Sequence, residues 1–238
     1  MHRSRVAAVT AIAGLSLVLV GCGSGSGPRV TEERDDIDAD VHAIELEGSG
    51  DLFLEVGDTP ELLVTARESV LEDVSTENSG GVLVLNVDGG FRLFGGIGTV
   101  DYEVTLPAVE ALSISGAGSI DGEVAPGESL TLDIRGAGDV RIEGVDVQDL
   151  TVTVSGAGSV ELVGTAVNQS VTIDGAGDYL AGDLESEHAV ATVSGAGSMD
   201  VWVTGTLDAT VSGAGDITHT GGAEVTEEIN GAGSISGD

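Results

Sequence analysis

Seven Gly-Ala-Gly triplets, each followed by Ser or Asp, begin at Gly116, Gly136, Gly156, Gly175, Gly195, Gly213 and Gly231, at spacings of 20, 20, 19, 20, 18 and 18 residues. A period near 20 is the mark of a solenoid, in which one small unit recurs, buries too little apolar surface alone, and is stable only when stacked on its copies. The residues before each triplet alternate, as in "LTLDIRG", "LTVTVSG", "SVTIDG", "AVATVSG" and "LDATVSG". Period two predicts strands, with Leu130/Leu132/Ile134, Leu150/Val152/Val154, Val171/Ile173, Ala191/Val193 and Ala209/Val211 inward. Thr131, Asp133, Thr151, Thr153, Thr172, Thr192 and Thr210 then face water.

A second strand follows each triplet, with Ile120, Val140, Val160, Tyr179, Met199, Ile217 and Ile235 as its first inward residues. Ile142, Leu162, Ala181 and Val201 continue that face, and links such as "GVDVQD" and "GTAVNQS" complete the coil. Equivalent strands of successive coils pair in parallel about 4.8 Å apart. The expected fold is all-β: a right-handed parallel β-helix (β-solenoid) of 18–20 residues per coil around stacked aliphatic side chains. The glycines keep the corner thin, since β-branched residues adopt such a corner only at a cost and any Cβ there would meet its copy one coil away. A phosphate-binding reading of G-x-G fails, because no helical pattern follows and the chain has no Lys to reach a phosphate.

Upstream, "HAIELEGSGDLFLEVG" at 42–57 is a diverged copy of the unit with Gly48-Ser49-Gly50-Asp51 at its corner. Between it and Gly116 the period lapses into separate strands, "ELLVTAR", "GGVLVLNVDG" and "VDYEVTLP", with "VLEDVSTEN" as a loop or one helical turn. A bare solenoid end is a sticky edge, so part of this less regular stretch is expected to cap it. Glu227, Glu228 and Asp238 put charge at the other end. The regular repeats then span 111–238 and the first unit with its β-rich cap 41–110, together one domain over 41–238.

The N-terminus has its own logic. "MHRSR" is basic, "VAAVTAIAGLSLVLV" is a 15-residue apolar stretch, and Leu19-Val20-Gly21-Cys22 follows. The stretch has the length of a signal-peptide core and is short for a membrane span. Leu-Val-Gly-Cys resembles a bacterial lipobox, which implies a signal peptide over 1–21, cleavage before Cys22 and a lipid on its sulfur. Cys22 is the single cysteine, so no intramolecular disulfide exists. Residues 22–40, rich in Gly, Ser and acids, read as a flexible lipidated tether. The expected location is the cell membrane, lipid-anchored and facing away from the cytoplasm.

Composition narrows the partners. With 8 cations against 41 acids the formal charge is −33, so nucleic acids and anionic lipid head groups are repelled. The catalytic inventory is thin. A lyase of acidic sugars needs a basic Lys or Arg beside carboxylates, and the repeats and their cap hold only Arg67, Arg92, Arg135 and Arg141. Arg135 and Arg141 flank Asp139 as a possible anion site, though pairing with neighbouring acids is the simpler role. His42, His188 and His219 lie in different units without zinc-like spacing, and the serines at the corners lack an activating His and Asp. No cofactor, metal or catalytic residue is therefore expected. His219 falls where other coils place an aliphatic, and Trp202 falls outward, a candidate contact for sugar or protein.

The corner motifs, the segment around Gly48 and the junction "VTLPAVEALSISGAGSI" together resemble the putative autotransporter adhesin family with the head GIN domain, over residues 42–238. The resemblance implies a β-superhelix in which glycine triplets make tight turns. It assigns that role to Gly48, Gly50, Gly116, Gly118, Gly136, Gly138, Gly156, Gly158, Gly175, Gly177, Gly195, Gly197, Gly213, Gly215, Gly231 and Gly233. The function expected is a lipid-anchored, non-catalytic envelope protein that adheres to a surface polysaccharide or protein along its sheet faces. The alternative is a glycan-active β-helix enzyme. One pattern stands apart from both: the residue after each corner alternates as Ser119, Asp139, Ser159, Asp178, Ser198, Asp216, Ser234. Alternation spaces carboxylates about 10 Å apart and lets each accept hydrogen bonds from its neighbours, with weak cation binding as the rival reading.

Overall fold

The computed structural model describes residues 27–87 and 99–238. Strand β1 is Arg29–Glu33, β2 Ala43–Gly48, β3 Asp51–Val56 and β4 Glu61–Arg67; one helical turn, α1, Glu68–Leu71, leads to β5 Val74–Ser79 and β6 Val82–Val87. Then come β7 Asp101–Leu106, β8 Ala111–Gly116, β9 Ser119–Glu123 and β10 Gly127–Gly136. The regular coils follow as β11 Asp139–Val154, β12 Ser159–Ile173, β13 Asp178–Val193, β14 Ser198–Val211, β15 Asp216–Thr220, β16 Glu224–Ile229 and β17 Ser234–Gly237.

Two runs of strands meet at the glycine corner. Before it, β6, β2, β8, β10, β11, β12, β13, β14 and β16 pair in that order, all in parallel. After it, the order is β7, β3, β9, β11, β12, β13, β14, β15 and β17, again parallel. This is a parallel β-solenoid. Every inward residue expected from the alternation is buried, from Leu130 to Ile217, apart from the half-buried Ile235 in the last coil.

Two expectations change. The links are strands: β11 to β14 run on from the second face to the first face of the next coil, making a third side, with Val145, Val147, Ala166, Leu184 and Val203 buried behind it. The bend into this side absorbs the varying coil length. Pairing slips between Ile142 and Val145, between Glu161 and Val163, and between Ala181 and Glu185, while the glycine corners keep their register. "VLEDVSTEN" is likewise only partly a turn, because Val74–Ser79 pairs antiparallel with β6 through the alternating Val74 and Thr76.

At the N-terminal end, space and sequence part company. β6 and β7 stack on β2 and β3 from the side opposite β8 and β9, so a later segment forms the earlier coil. Antiparallel strands close it: β5 on β6, β4 on β7, and β1 on β4. Arg29–Glu33 thus belongs to the sheet, within a stretch that reads from sequence as tether.

Candidate functional site

Each glycine corner is a column of backbone. The N–H of Ala137 donates to Gly116 O, Ala157 to Gly136 O, Ala176 to Gly156 O and Ala196 to Gly175 O, each at 2.8 Å. The Cα of each first glycine therefore lies over the carbonyl one coil below. A Cβ on Gly156 would stand 2.0 Å from Gly136 O, and one on Gly158 would stand 2.1 Å from Gly138 O. Of the corner glycines, only Gly48 and Gly136 hold a left-handed φ, 87° and 141°. Close approach, rather than unusual backbone angles, is what excludes a side chain at most corners. The middle residue points outward, which is why Ser49 and the alanines are interchangeable there.

The residue after the corner forms one continuous row. Asp101, Asp51, Ser119, Asp139, Ser159, Asp178, Ser198, Asp216 and Ser234 are successive register partners. Each Asp but Asp101 accepts from the Ser of the following coil. Ser119 Oγ donates to Asp51 at 3.0 Å, Ser159 N to Asp139 at 3.1 Å, Ser198 Oγ to Asp178, and Ser234 Oγ to Asp216 at 2.6 Å. The alternation fails once, where Asp51 meets Asp101. There Arg29 donates to Asp101 Oδ2 at 2.6 Å and to Thr99 Oγ1 at 3.1 Å. No group of three or more His, Cys, Asp or Glu side chains suited to a metal occurs among the described residues.

Across the interior, joining the three sides, lies a polar relay that sequence reasoning missed. Tyr179 Oη donates to Gln169 Oε1 at 2.6 Å, Gln169 Nε2 to Ser186 Oγ at 2.9 Å, and Ser186 Oγ to Trp202 O at 3.1 Å. Gln169 and Ser186 are buried where neighbouring coils carry Leu150, Ala189, Ala166 and Val203. Their polarity makes them look like outward residues in a link. Burial pushes the Tyr179 phenol well above its ordinary range. It raises Tyr102, in the coil formed by β6 and β7, to about 12, with the Arg34 charge pulling the other way.

Outside, the third side is concave across coils. A hollow of about 410 Å³ is lined by Asp146, Gln148, Thr165, Glu185, Glu187 and Thr204. A second, of about 220 Å³, lies along Asp149, Asn168, His188 and Thr206. Asn168 Nδ2 donates to Asp149 at 2.9 Å, and His188 Nδ1 lies 2.9 Å from Thr206 Oγ1. His42 Nδ1 lies 3.1 Å from Asp40 O, and His219 is buried between Val201 and Gly237, so the three histidines are not brought together. Trp202 is half-buried, its ring over Gly221. Arg135 pairs with Asp133, and Arg141 reaches Glu161 at 2.7 Å and Glu143 at 3.5 Å, so both are held by acids rather than left for an anion. Cys22 and the apolar stretch before it lie outside the described residues. Among those described, no helix is long and apolar enough to cross a membrane.

A solenoid with stacked, hydrogen-bonded polar rows on its outside is a protein of extended faces. Residues 40–223 match the family described as "Putative auto-transporter adhesin, head GIN domain". The chain belongs to that family. Among solved structures it is similar to a "putative adhesin" from Bacteroides fragilis, with 22% identity, 88% of this chain and 97% of that one covered, and a TM-score of 0.80. A "putative adhesin" from Parabacteroides distasonis covers 90% and 98% at 20% identity and TM-score 0.71. A "putative lipid binding protein" from the same species covers 90% and 98% at 23% identity and TM-score 0.69. These likenesses establish the fold. No curated protein matches the chain.

Proposed function

We propose that this is a lipid-anchored, non-catalytic surface protein that binds an extended partner, a polysaccharide or a protein, along the outward faces of its solenoid. The observation that carries the reading is the continuity of the outward rows. Asp149, Asn168, His188 and Thr206 on four consecutive coils offer donors and acceptors about 4.8 Å apart beside a hollow that itself spans coils. A polymer lying along the axis would meet the same chemistry repeatedly, and many weak contacts in series make a serviceable adhesive. Family membership supports the surface role. The lipobox-like Leu19-Val20-Gly21-Cys22 supports anchoring through Cys22, with the chain before Arg29 as the reach from the membrane.

The test is a glycan and extracellular-matrix array probed with the protein from Gly27 onward, because β1 begins at Arg29 and a later start would strip the cap. Phosphatidylcholine vesicles on the same array ask whether a lipid surface is bound. Binding without turnover is expected; cleavage of an acidic glycan, or silence across the array, would sink the scaffold reading. For the anchor, mass spectrometry of the mature protein is expected to find Cys22 at the N-terminus carrying lipid, and Cys22→Ser is expected to abolish membrane retention. An unmodified N-terminus elsewhere would disprove it.

A further inference from the structure

Among the described residues, one outward patch sets an exposed aromatic ring among carboxylates that no arginine holds. Leu63, Glu103, Phe53 and Asp121 lie side by side on β4, β7, β3 and β9, with Glu61, Thr105 and Glu55 in the next row. Phe53 is 46% exposed in a chain with only three phenylalanines, and Val56, two strand positions beyond Leu54, is exposed to the same extent. The ring stands as a ridge between two hollows. One, of about 270 Å³, is bounded by Glu61, Leu63, Glu103 and Thr105; the other, of about 410 Å³, by Val56, Asp121, Gly122 and Glu123.

The chemistry around the ring is one-sided. Glu55, Glu61, Glu103, Asp121 and Glu123 surround it, and among the described residues none of their carboxylates has a hydrogen-bond or ion-pair partner, unlike the acids that Arg29, Arg135 and Arg141 hold. An apolar surface rimmed by polar groups marks an interaction site. Here the rim is acidic, and the cation that adjoins it, Arg141, the register partner of Asp121, is already held by Glu161 and Glu143. Such a rim disfavours anionic lipid and polyanions, and it disfavours a second copy of a chain whose formal charge is −33. A neutral sugar would leave the carboxylates uncompensated.

We propose that the Phe53 patch docks an extended basic segment of another protein, one with Lys or Arg flanking an apolar residue. The apolar side chain enters a hollow beside the ring. The cations reach the carboxylates, and one lies over the face of Phe53 in a cation–π contact. The proposal shares with the scaffold reading only the premise that the outward faces do the binding, and its site is separate from the grooves of the third side.

The test is fluorescence anisotropy of a short labelled peptide of alternating arginine and leucine against the full chain in detergent. Phe53→Ser, which leaves every charge in place, is expected to weaken binding about tenfold, the loss that follows when one aromatic side chain is no longer buried. The Glu103→Gln/Asp121→Asn double variant is expected to weaken it by a similar factor. Two controls, Val190→Ser, which removes an equally exposed apolar residue on another face, and the charge-matched Asp183→Asn/Asp208→Asn, are expected to bind as the wild type does. If Phe53→Ser and Val190→Ser bind alike, or the two double variants weaken binding alike, the attraction belongs to the whole charged surface and the patch is no site. Self-association or phosphatidylcholine-vesicle binding lost specifically in Phe53→Ser would assign the patch another occupant and overturn the proposal. Phe53 is exposed, so the variant keeps its fold, and a thermal melt verifies this. A silent array beside Phe53-dependent peptide binding would remove the groove reading alone; the reverse pattern would remove this one alone.

Discussion

Gly156 and Thr153 lie three positions apart in the chain and are opposites in what they tolerate. Gly156 sits directly over the Gly136 carbonyl, with its own carbonyl taken by Ala176 N–H, so it is held from both sides. Thr153 points outward between Asp133 and Thr172. Gly156→Val should therefore cost a few kcal/mol, since a mid-solenoid corner cannot relax without moving its neighbours, whereas Thr153→Val should stay within about 0.5 kcal/mol. Chemical denaturation of the two variants checks this, and equal losses would show that corner and face have been misassigned. The collision between stacked corners was legible in the repeat. That most corners have ordinary backbone angles was not, because spacing carries no information about φ.

At the scale of one element, β13 shows how a coil is tied together across its interior. Tyr179 begins the second face and Ser186 lies on the third side; Gln169, from β12, joins them. Removing the phenolic hydroxyl with Tyr179→Phe leaves a buried Gln169 acceptor unpaired, at about 1–3 kcal/mol. The same variant should change the alkaline limb of stability. Folded Tyr179 keeps its proton where an unfolded tyrosine releases it, near pH 10, so stability holds below that pH and falls as pH rises past it. Tyr102, raised to about 12, contributes the same fall over pH 10–12. Wild type should lose stability steeply above pH 10, and Tyr179→Phe less steeply, with the Tyr102 share remaining. Parallel curves for the two proteins would contradict the assignment. The relay was invisible beforehand because two polar residues in a segment read as linker give no sign of facing inward.

Over the whole molecule, the row of alternating Ser and Asp is a charge-spacing device. Carboxylates on adjacent coils would repel by about 0.9 kcal/mol in water, and on alternate coils by about 0.4 kcal/mol, more strongly screened at the longer distance. Ser159→Asp puts a carboxylate between Asp139 and Asp178. It should lower stability by about 1–2 kcal/mol at low salt and much less at high salt, with Ca²⁺ giving nothing beyond its ionic strength. A specific, saturable rescue by millimolar Ca²⁺ would mean that the row is a cation site. The exception proves informative: where Asp51 and Asp101 stack, β1 delivers Arg29. The repeat period, the inward residues, the corners and this alternation were all written locally, each coil repeating the same backbone problem, and so the sequence by itself determined the solenoid and its outward rows. Tertiary structure alone decided that β6 and β7 stack ahead of β2 and β3, that antiparallel β1, β4 and β5 close that end, and that Phe53 stands among five carboxylates. Those outcomes depend on which sheet edge a non-repeating strand pairs with, and backbone hydrogen bonds, the same for every residue but proline, leave no trace of that choice in the residues.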